Sequence, residues 1–344
     1  MNREGISILI IYTGGTIGMK QNPETGALTP FNFNQVEIEV PELKKFHYKL
    51  DTISFAPLVD SSDISPEFWV KLAVTIQENY KKYDGFVILH GTDTMSFTAS
   101  ALSFMLQNLD KPVILTGSQL PIGMLRTDGK ENLISAIEIA AASRNGQPLV
   151  PEVCIFFENR LFRGNRTTKH NAEHFNAFRS DNYPYLAEAG INIKYNFAFI
   201  HYPTNKRELI IHTNLDNSIG VLKLFPGITP QVVDSALNAS NAKAIILETF
   251  GSGNAPSPIW FLDKIRDAVS RGVVIVNVTQ CHAGSVDMEK YENGLILKKA
   301  GVISGFDITF EAAVAKLMLL LGKNLTTEVL KQELVKSMSG EISN

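Results

Sequence analysis

Ile6-Ser7-Ile8-Leu9-Ile10-Ile11-Tyr12-Thr13-Gly14-Gly15-Thr16-Ile17-Gly18 is the stretch that decides the fold. From Ile6 to Tyr12 the run is almost wholly apolar and rich in β-branched side chains, and it ends on a glycine turn. A strand that is apolar on both faces belongs inside a parallel sheet covered on both sides. The same signature returns at Gly85–Leu89, Pro112–Leu115, Val153–Phe157, Ala244–Leu247 and Val273–Asn277. Helical patterns fill the intervals. Ser65-Pro66-Glu67 opens one, with serine at the cap and proline at the first position. Thr94–Leu109 and Asn132–Ser143 read as two more, and Phe310–Leu321 and Thr326–Lys336 as a C-terminal pair. Alternating strands and helices predict an α/β fold with a mainly parallel sheet flanked by helices. Its functional groups should stand just beyond the strand C-termini, where the sheet opens.

The alternation weakens around residues 195–215, where Tyr202-Pro203-Thr204-Asn205-Lys206-Arg207-Glu208 is polar and carries a proline. The expected organisation is a larger N-terminal α/β domain over 1–200, a linker over 201–213 and a smaller C-terminal α/β domain over 214–344. With 344 residues, 44% of them hydrophobic and 19% charged, the chain can bury two ordinary cores. The net charge of −3 gives no support to a nucleic-acid binder. Two cysteines, Cys154 and Cys281, without a CxxC pair, read as neither a disulfide framework nor a thiolate metal site. No apolar run approaches the roughly 20 residues that span a bilayer. The opening segment is too short for a secretory leader. A soluble cytoplasmic protein is expected.

Four polar segments carry the chemistry. Thr13-Gly14-Gly15-Thr16-Ile17-Gly18 follows a buried strand, and its glycines let the backbone approach a small ligand closely. It lacks the lysine of a phosphate loop and does not match GxGxxG. A structural turn is an equal reading of this segment alone. His90-Gly91-Thr92-Asp93-Thr94-Met95 also follows a buried strand, with a hydroxyl and a carboxylate where a helix begins. Helix capping by Thr92 or Asp93 competes there with catalysis. Asp60-Ser61-Ser62-Asp63 offers hydroxyls and carboxylates suited to a zwitterion, although a plain polar turn is the commoner meaning. Arg163-Gly164-Asn165-Arg166-Thr167-Thr168-Lys169 reads first as a solvated basic loop. A lysine buried among hydroxyls, however, can serve as a general base, and a threonine is a weak nucleophile without one. His170 and His174 have the spacing of a helical metal pair but no third ligand, so a polar helix face is expected.

Taken together and in this order, the four segments resemble the bacterial-type L-asparaginases, and the cytoplasmic type I branch in particular. Thr116-Gly117-Ser118-Gln119 and Phe250-Gly251-Ser252-Gly253-Asn254-Ala255-Pro256 strengthen the likeness, which extends over nearly the whole chain. The resemblance implies hydrolysis of the asparagine side-chain amide to aspartate and ammonia through an acyl-threonine. It implies Thr16 as the acyl carrier and Thr92, Asp93 and Lys169 as the proton-handling set, with Lys169 relaying the Thr92 proton. Asp60, Ser61 and Ser62, together with Thr92 and Asp93, would hold the ends of the substrate. Which threonine attacks first stays open at this point. No metal and no organic cofactor is implied. Neither nucleic acid nor membrane is an expected partner, and a homodimer or homotetramer is, with Asn254 a contributor across the subunit interface.

The chain departs from the pattern in one loop. Many members carry a tyrosine after the first threonine motif, whereas Gln21-Asn22-Pro23-Glu24-Thr25-Gly26-Ala27-Leu28-Thr29-Pro30 has none, leaving Thr25 as the hydroxyl candidate of a hinged lid. Thr168 and Cys281 fall in segments like those of a second, activating asparagine site in some type I enzymes, but Glu248 stands where an arginine would hold a carboxylate. Three rival readings remain. A glutaminase differs by one methylene of reach, worth about 1–3 kcal/mol of discrimination, so side activity on glutamine is compatible with the pattern. The amidase subunit of a tRNA-dependent amidotransferase would be expected to carry an extra domain before the first motif. A non-catalytic sensor would be expected to have lost one of Thr16, Thr92, Asp93 or Lys169.

Overall fold

The computed structural model describes residues 5–21, 28–30, 38–203, 207–239 and 241–343. The chain divides into two compact units, Met1–Ile211 and His212–Asn344. The first is built on an eight-stranded sheet. Its strands are β1 (Ser7–Tyr12), β2 (Lys49–Ser54), β3 (Gly85–Leu89), β4 (Val113–Thr116), β5 (Val153–Phe157), β6 (Arg160–Arg163), β7 (Ala187–Ala189) and β8 (Ile193–Tyr195). They lie in the order β8-β7-β6-β5-β4-β3-β1-β2. The five from β5 to β2 are parallel, and β6, β7 and β8 continue the sheet antiparallel. Chain order reverses between β1 and β3. The chain goes from β1 outward to β2, then returns to lay β3 on the other side of β1. Such a reversal opens a crevice beyond the carboxyl ends of the two strands.

Period-two alternation explains how the parallel strands bury both faces. Ile8, Ile10 and Tyr12 of β1, Val87 and Leu89 of β3, Ile114 of β4 and Phe156 of β5 join one core with Leu133, Ala136, Ile137 and Ala140 of the helix Gly129–Ala141. The alternate residues Leu9, Ile11, Phe86, Ile88, Leu115 and Ile155 are equally buried on the opposite face. Helix α1 (Pro66–Asn79) packs on α2 (Met95–Met105), and α2 packs on β5; Gly129–Ala141 is α3.

Two helices differ from the sequence reading. The second ends at Met105 rather than Leu109, because Leu106 leaves helical geometry and Leu106–Gln107 pairs antiparallel with Ile210–Ile211. The third begins at Gly129, three residues before its apolar pattern. The carboxylate of Asp128 at its start accepts from the Gln119 and Leu120 N–H groups instead of capping the helix. Burial holds that carboxyl above its usual range despite these hydrogen bonds.

The second unit has four parallel strands in chain order, β9 (Ile219–Lys223), β10 (Ala244–Thr249), β11 (Val274–Thr279) and β12 (Ile303–Ser304). Its helices are α4 (Pro230–Leu237), α5 (Ile259–Ser270), α6 (Glu292–Lys299), α7 (Phe310–Gly322) and α8 (Thr327–Leu334). Leu222, Ile245, Leu247, Phe261, Ile265 and Ile275 lie in its core. Thr309 and Thr326 cap α7 and α8 by accepting from Ala312 and Val329 N–H. Two α/β units with parallel sheets bear out the expected fold class. No helix among the described residues is long and apolar enough to cross a membrane.

Candidate active site

The carboxyl ends of four neighbouring strands, β2, β1, β3 and β4, each release one of the polar segments singled out in the sequence. From β1 comes Thr13–Gly18, and from β3 comes His90–Thr94. The first is stitched to the second where Thr13 N–H and Oγ1–H both reach the Leu89 carbonyl, at 3.0 and 2.9 Å. From β2, the loop to Asp60 is held by Phe55 N–H on the Tyr12 carbonyl and Val59 N–H on the Thr13 carbonyl, both at 2.9 Å.

Two glycines allow these loops to touch. Gly15 has φ +89°, and a Cβ placed there would lie 2.5 Å from Gly91 N and 2.6 Å from Gly91 Cα. On Gly91 itself a Cβ would lie 2.5 Å from Ser61 Oγ. The residues immediately before Thr16 and Thr92 are therefore in backbone contact, and Ser61 packs against the same point. Thr94 Oγ1–H closes the ring by donating to the Ser61 carbonyl at 2.6 Å.

Thr16 opens a short 3-10 turn, Thr16–Gly18, and is half-buried. Behind it the Tyr12 hydroxyl, buried and pushed up to about 12 by desolvation, donates to the Gly18 carbonyl at 2.9 Å. Asp60 caps the turn Ser61–Asp63 by accepting from Ser62 N–H at 2.9 Å and Ser62 Oγ–H at 2.8 Å. These two hydrogen bonds hold its carboxyl below the ordinary range, so it is ionised at neutral pH. Ser61 is buried, while Ser62 is exposed.

Lys169 arrives from a different direction. It stands on the two-residue strand Thr168–Lys169, paired with Phe178–Arg179. Its Nζ donates to Thr92 Oγ1 at 2.9 Å and to Asp93 Oδ1 at 2.6 Å. The lysine side chain is 18% exposed and that of Asp93 65%, so the pair sits at the rim of the crevice with the lysine Nζ on its inner side. The base expected among hydroxyls thus has a carboxylate beside it as well. Thr92 Oγ1–H has Gln119 Oε1 as its acceptor at 3.4 Å, so this hydroxyl accepts from the lysine and donates to the glutamine.

Thr16, Thr92, Asp93, Lys169, Asp60, Ser61 and Ser62 are therefore drawn to one end of one sheet, and the Thr92–Asp93–Lys169 contacts are direct. Matches to family models cover this unit and the next. The description "Asparaginase, N-terminal" fits residues 7–200, and "Glutaminase/Asparaginase C-terminal domain" fits residues 218–334.

The chain belongs to the asparaginase family.

It is 46% identical to L-asparaginase 1 of Escherichia coli K12 over 342 residues, covering 98% of each chain. The crystal structure of L-asparaginase I from Vibrio cholerae superposes with a TM-score of 0.89 at 44% identity, covering 98% of this chain and 99% of that one. The thermostable L-asparaginase from Thermococcus kodakarensis gives the same TM-score at 32% identity, covering 98% of this chain and all of the other. The likeness to the type I asparaginases read from the motifs is borne out.

One expectation, the helical histidine pair, falls differently. His170 and His174 do not share a helix. His170 follows the Thr168–Lys169 strand, its N–H bonded to the Ala177 carbonyl, and His174 lies in a turn organised by Asn171 Oδ1. No cluster of metal-ligating side chains occurs among the described residues. Thr25 and the tip of its loop lie outside the described residues, although the backbone on either side pairs as a hairpin, Met19–Gln21 with Leu28–Pro30. Glu248 is paired with Lys223 at 3.2 Å, and Cys281 is exposed. Asn254 closes a tight turn onto Phe250 within the second unit.

Gln119 is the functional candidate that the sequence reading did not assign, although its motif was quoted. Besides accepting from Thr92, its Nε2 donates to the His174 carbonyl at 3.1 Å, and its own N–H is held by Asp128. It thereby ties the Thr92 turn to the segment following Lys169. A polar residue three positions past a buried strand, next to a Gly-Ser pair, was the available signal.

Proposed function

We propose that this protein hydrolyses L-asparagine to L-aspartate and ammonia through an acyl intermediate on Thr16. The observation that carries the reading is the paired contact of Lys169 Nζ with Thr92 Oγ1 and Asp93 Oδ1, on a turn whose backbone touches the Thr16 turn. In this account Thr16 Oγ1 attacks the side-chain carbonyl carbon, and its proton passes to the Thr92–Lys169 pair. The tetrahedral adduct collapses as the C–N bond breaks, and the proton goes to the departing nitrogen, which leaves as ammonia. Water then attacks the ester carbon under the same base and releases aspartate, returning the proton to Thr16. The family resemblance, in which the threonine of the first glycine turn takes the acyl group, supports Thr16 over Thr92, whose hydroxyl is held between Lys169 and Gln119.

The substrate's charged ends need separate partners. The exposed Asp93 carboxylate suits the α-ammonium, and the Ser61–Ser62 turn, with Asp60 fixing it, suits the α-carboxylate and neighbouring donors. The likeness to the type I branch supports a cytoplasmic homodimer or homotetramer, which light scattering on the purified protein tests. The direct test of function is ammonia release from asparagine and glutamine side by side, with and without chelator. Rapid release from asparagine, slow release from glutamine and no chelator effect are expected. Binding of asparagine without ammonia would replace the enzyme by a sensor.

A further inference from the structure

Beneath the Thr92 turn lies a chain of buried polar groups that the proposed reaction does not use. Trp69 Nε1 of α1 is 3.0 Å from Thr98 Oγ1 of α2, which is 2.9 Å from His90 Nε2. On the other side of the ring, His90 Nδ1 is 2.6 Å from the Gly91 carbonyl oxygen. Trp69 is 4% exposed, and Thr98 and His90 are fully buried.

The direction of every proton follows from chemistry. A carbonyl oxygen only accepts, so Nδ1 must carry hydrogen. An indole N–H only donates, so it gives its proton to Thr98 Oγ1. Thr98 is then free to donate its own hydrogen to a bare Nε2. All partners are satisfied only by a neutral ring protonated on Nδ1. Burial favours the same state, pushing His90 down to about 4. The ring also makes a T-shaped contact with Phe68, with centroids 5.8 Å apart.

A peptide unit is planar, and its C=O and N–H point in opposite directions. The Gly91 carbonyl belongs to the same unit as the Thr92 N–H. Holding the carbonyl on the buried, His90 side turns the Thr92 N–H the other way. Among the described residues no group accepts from that N–H. We propose that His90 is a positioning residue, locked by Thr98 and Trp69 as the Nδ1–H tautomer, that aims the Thr92 N–H at the oxygen of the bound amide as it becomes an oxyanion. This rests on the asparagine-hydrolysis reading given above. Donors that are fixed before the charge develops are the ones that lower the barrier.

The test compares kcat, KM and Tm of His90→Phe, His90→Gln and His90→Asn with wild type on asparagine. Phenylalanine fills the ring's space and donates nothing. Glutamine reaches toward Thr98 but not the Gly91 carbonyl, and asparagine places an amide N–H near the Nδ1 position. The expected result is a kcat about 10²-fold lower for His90→Phe and His90→Gln, with KM close to wild type. Most of the rate should return in His90→Asn although its link to Thr98 is broken. Losses that merely follow Tm, or a His90→Asn no better than His90→Phe, overturn the proposal while leaving asparagine hydrolysis intact. Wild-type protein that releases no ammonia overturns both. Ring 15N shifts of the wild-type protein, assigned through His90→Gln, provide a readout independent of variant folding. They should show Nδ1 protonated and Nε2 bare at neutral pH, and the opposite tautomer refutes the mechanism.

Discussion

Replacing Gly15 by alanine should separate the Thr16 and Thr92 turns. Two costs apply. The first is conformational: φ +89° with ψ 168° lies in a region essentially confined to glycine and costs an L side chain about 1–3 kcal/mol. The second is steric. The new Cβ would meet Gly91 N at 2.5 Å and Gly91 Cα at 2.6 Å, both backbone atoms that no rotamer change can clear. Ordinary contact needs close to another ångström, so the Thr16 turn must move off the Thr92 turn by about that much. A misplacement of about 1 Å costs on the order of 10²-fold in rate. Gly272 supplies the control: its φ is +91°, and a Cβ there meets nothing within 4 Å. Gly272→Ala therefore carries a positive-φ cost without a steric clash. Urea unfolding and ammonia release, measured on both variants, separate the effects. Gly15→Ala should be less stable than Gly272→Ala and at least 10²-fold slower than wild type, whereas Gly272→Ala keeps full activity. If Gly15→Ala retains wild-type turnover, the argument that backbone contact sets the geometry of the two threonines is refuted.

Lys169→Met removes the proposed proton carrier while keeping the side chain's bulk. A kcat about 10²–10⁴-fold lower is expected, with Tm little changed because Asp93 is already largely solvated. His90 predicts an acid-side loss of stability. Its folded value, about 4, lies below the ordinary 6.5, so the unfolded chain binds the extra proton and stability falls as pH drops from 6.5 to 4. The loss amounts to about 3 kcal/mol, and unfolding titrations of wild type and His90→Phe at pH 7 and pH 4 should differ by that amount. In the second unit, Lys316 and Glu341 form an ion pair at 2.7 Å with both side chains buried. Lys316 also donates to the Leu334 and Lys336 carbonyls, and Glu341 accepts from Met338 and Ser339 N–H. Lys316→Met should cost about 3–5 kcal/mol by stranding the carboxylate, and adding Glu341→Gln should recover part of that in denaturant melts.

What was legible in the sequence follows from burial. The central strands announce themselves because both faces are covered, so Ile8–Tyr12 and Gly85–Leu89 are apolar without interruption. Strand β2 is an edge strand, Lys-Leu-Asp-Thr-Ile-Ser, with no fully buried residue, and it carries no such signal. Strands β7 and β8 have three residues each, too few for a period to show. Helix α3 starts three residues before its apolar pattern because Asp128 serves the Gln119 turn rather than the helix. At the site, the segments were recognisable because small residues and hydroxyls follow buried strands in a fixed order. The contacts between them were not. Lys169 meets Thr92 across 77 residues of chain, and the Trp69–Thr98–His90 chain spans two helices and a strand end. Gln119 looked like an ordinary loop residue because its role depends on a threonine 27 positions earlier.

The most direct test of the central claim is to quench the enzyme in acid during turnover of asparagine and map the adduct by peptide mass spectrometry, with hydroxylamine present in a parallel reaction. The account predicts an aspartyl group on the peptide containing Thr16, localised to that residue, and diversion of product to the aspartyl hydroxamate. An aspartyl group on Thr92, or full ammonia release with no adduct and no hydroxamate, would contradict it.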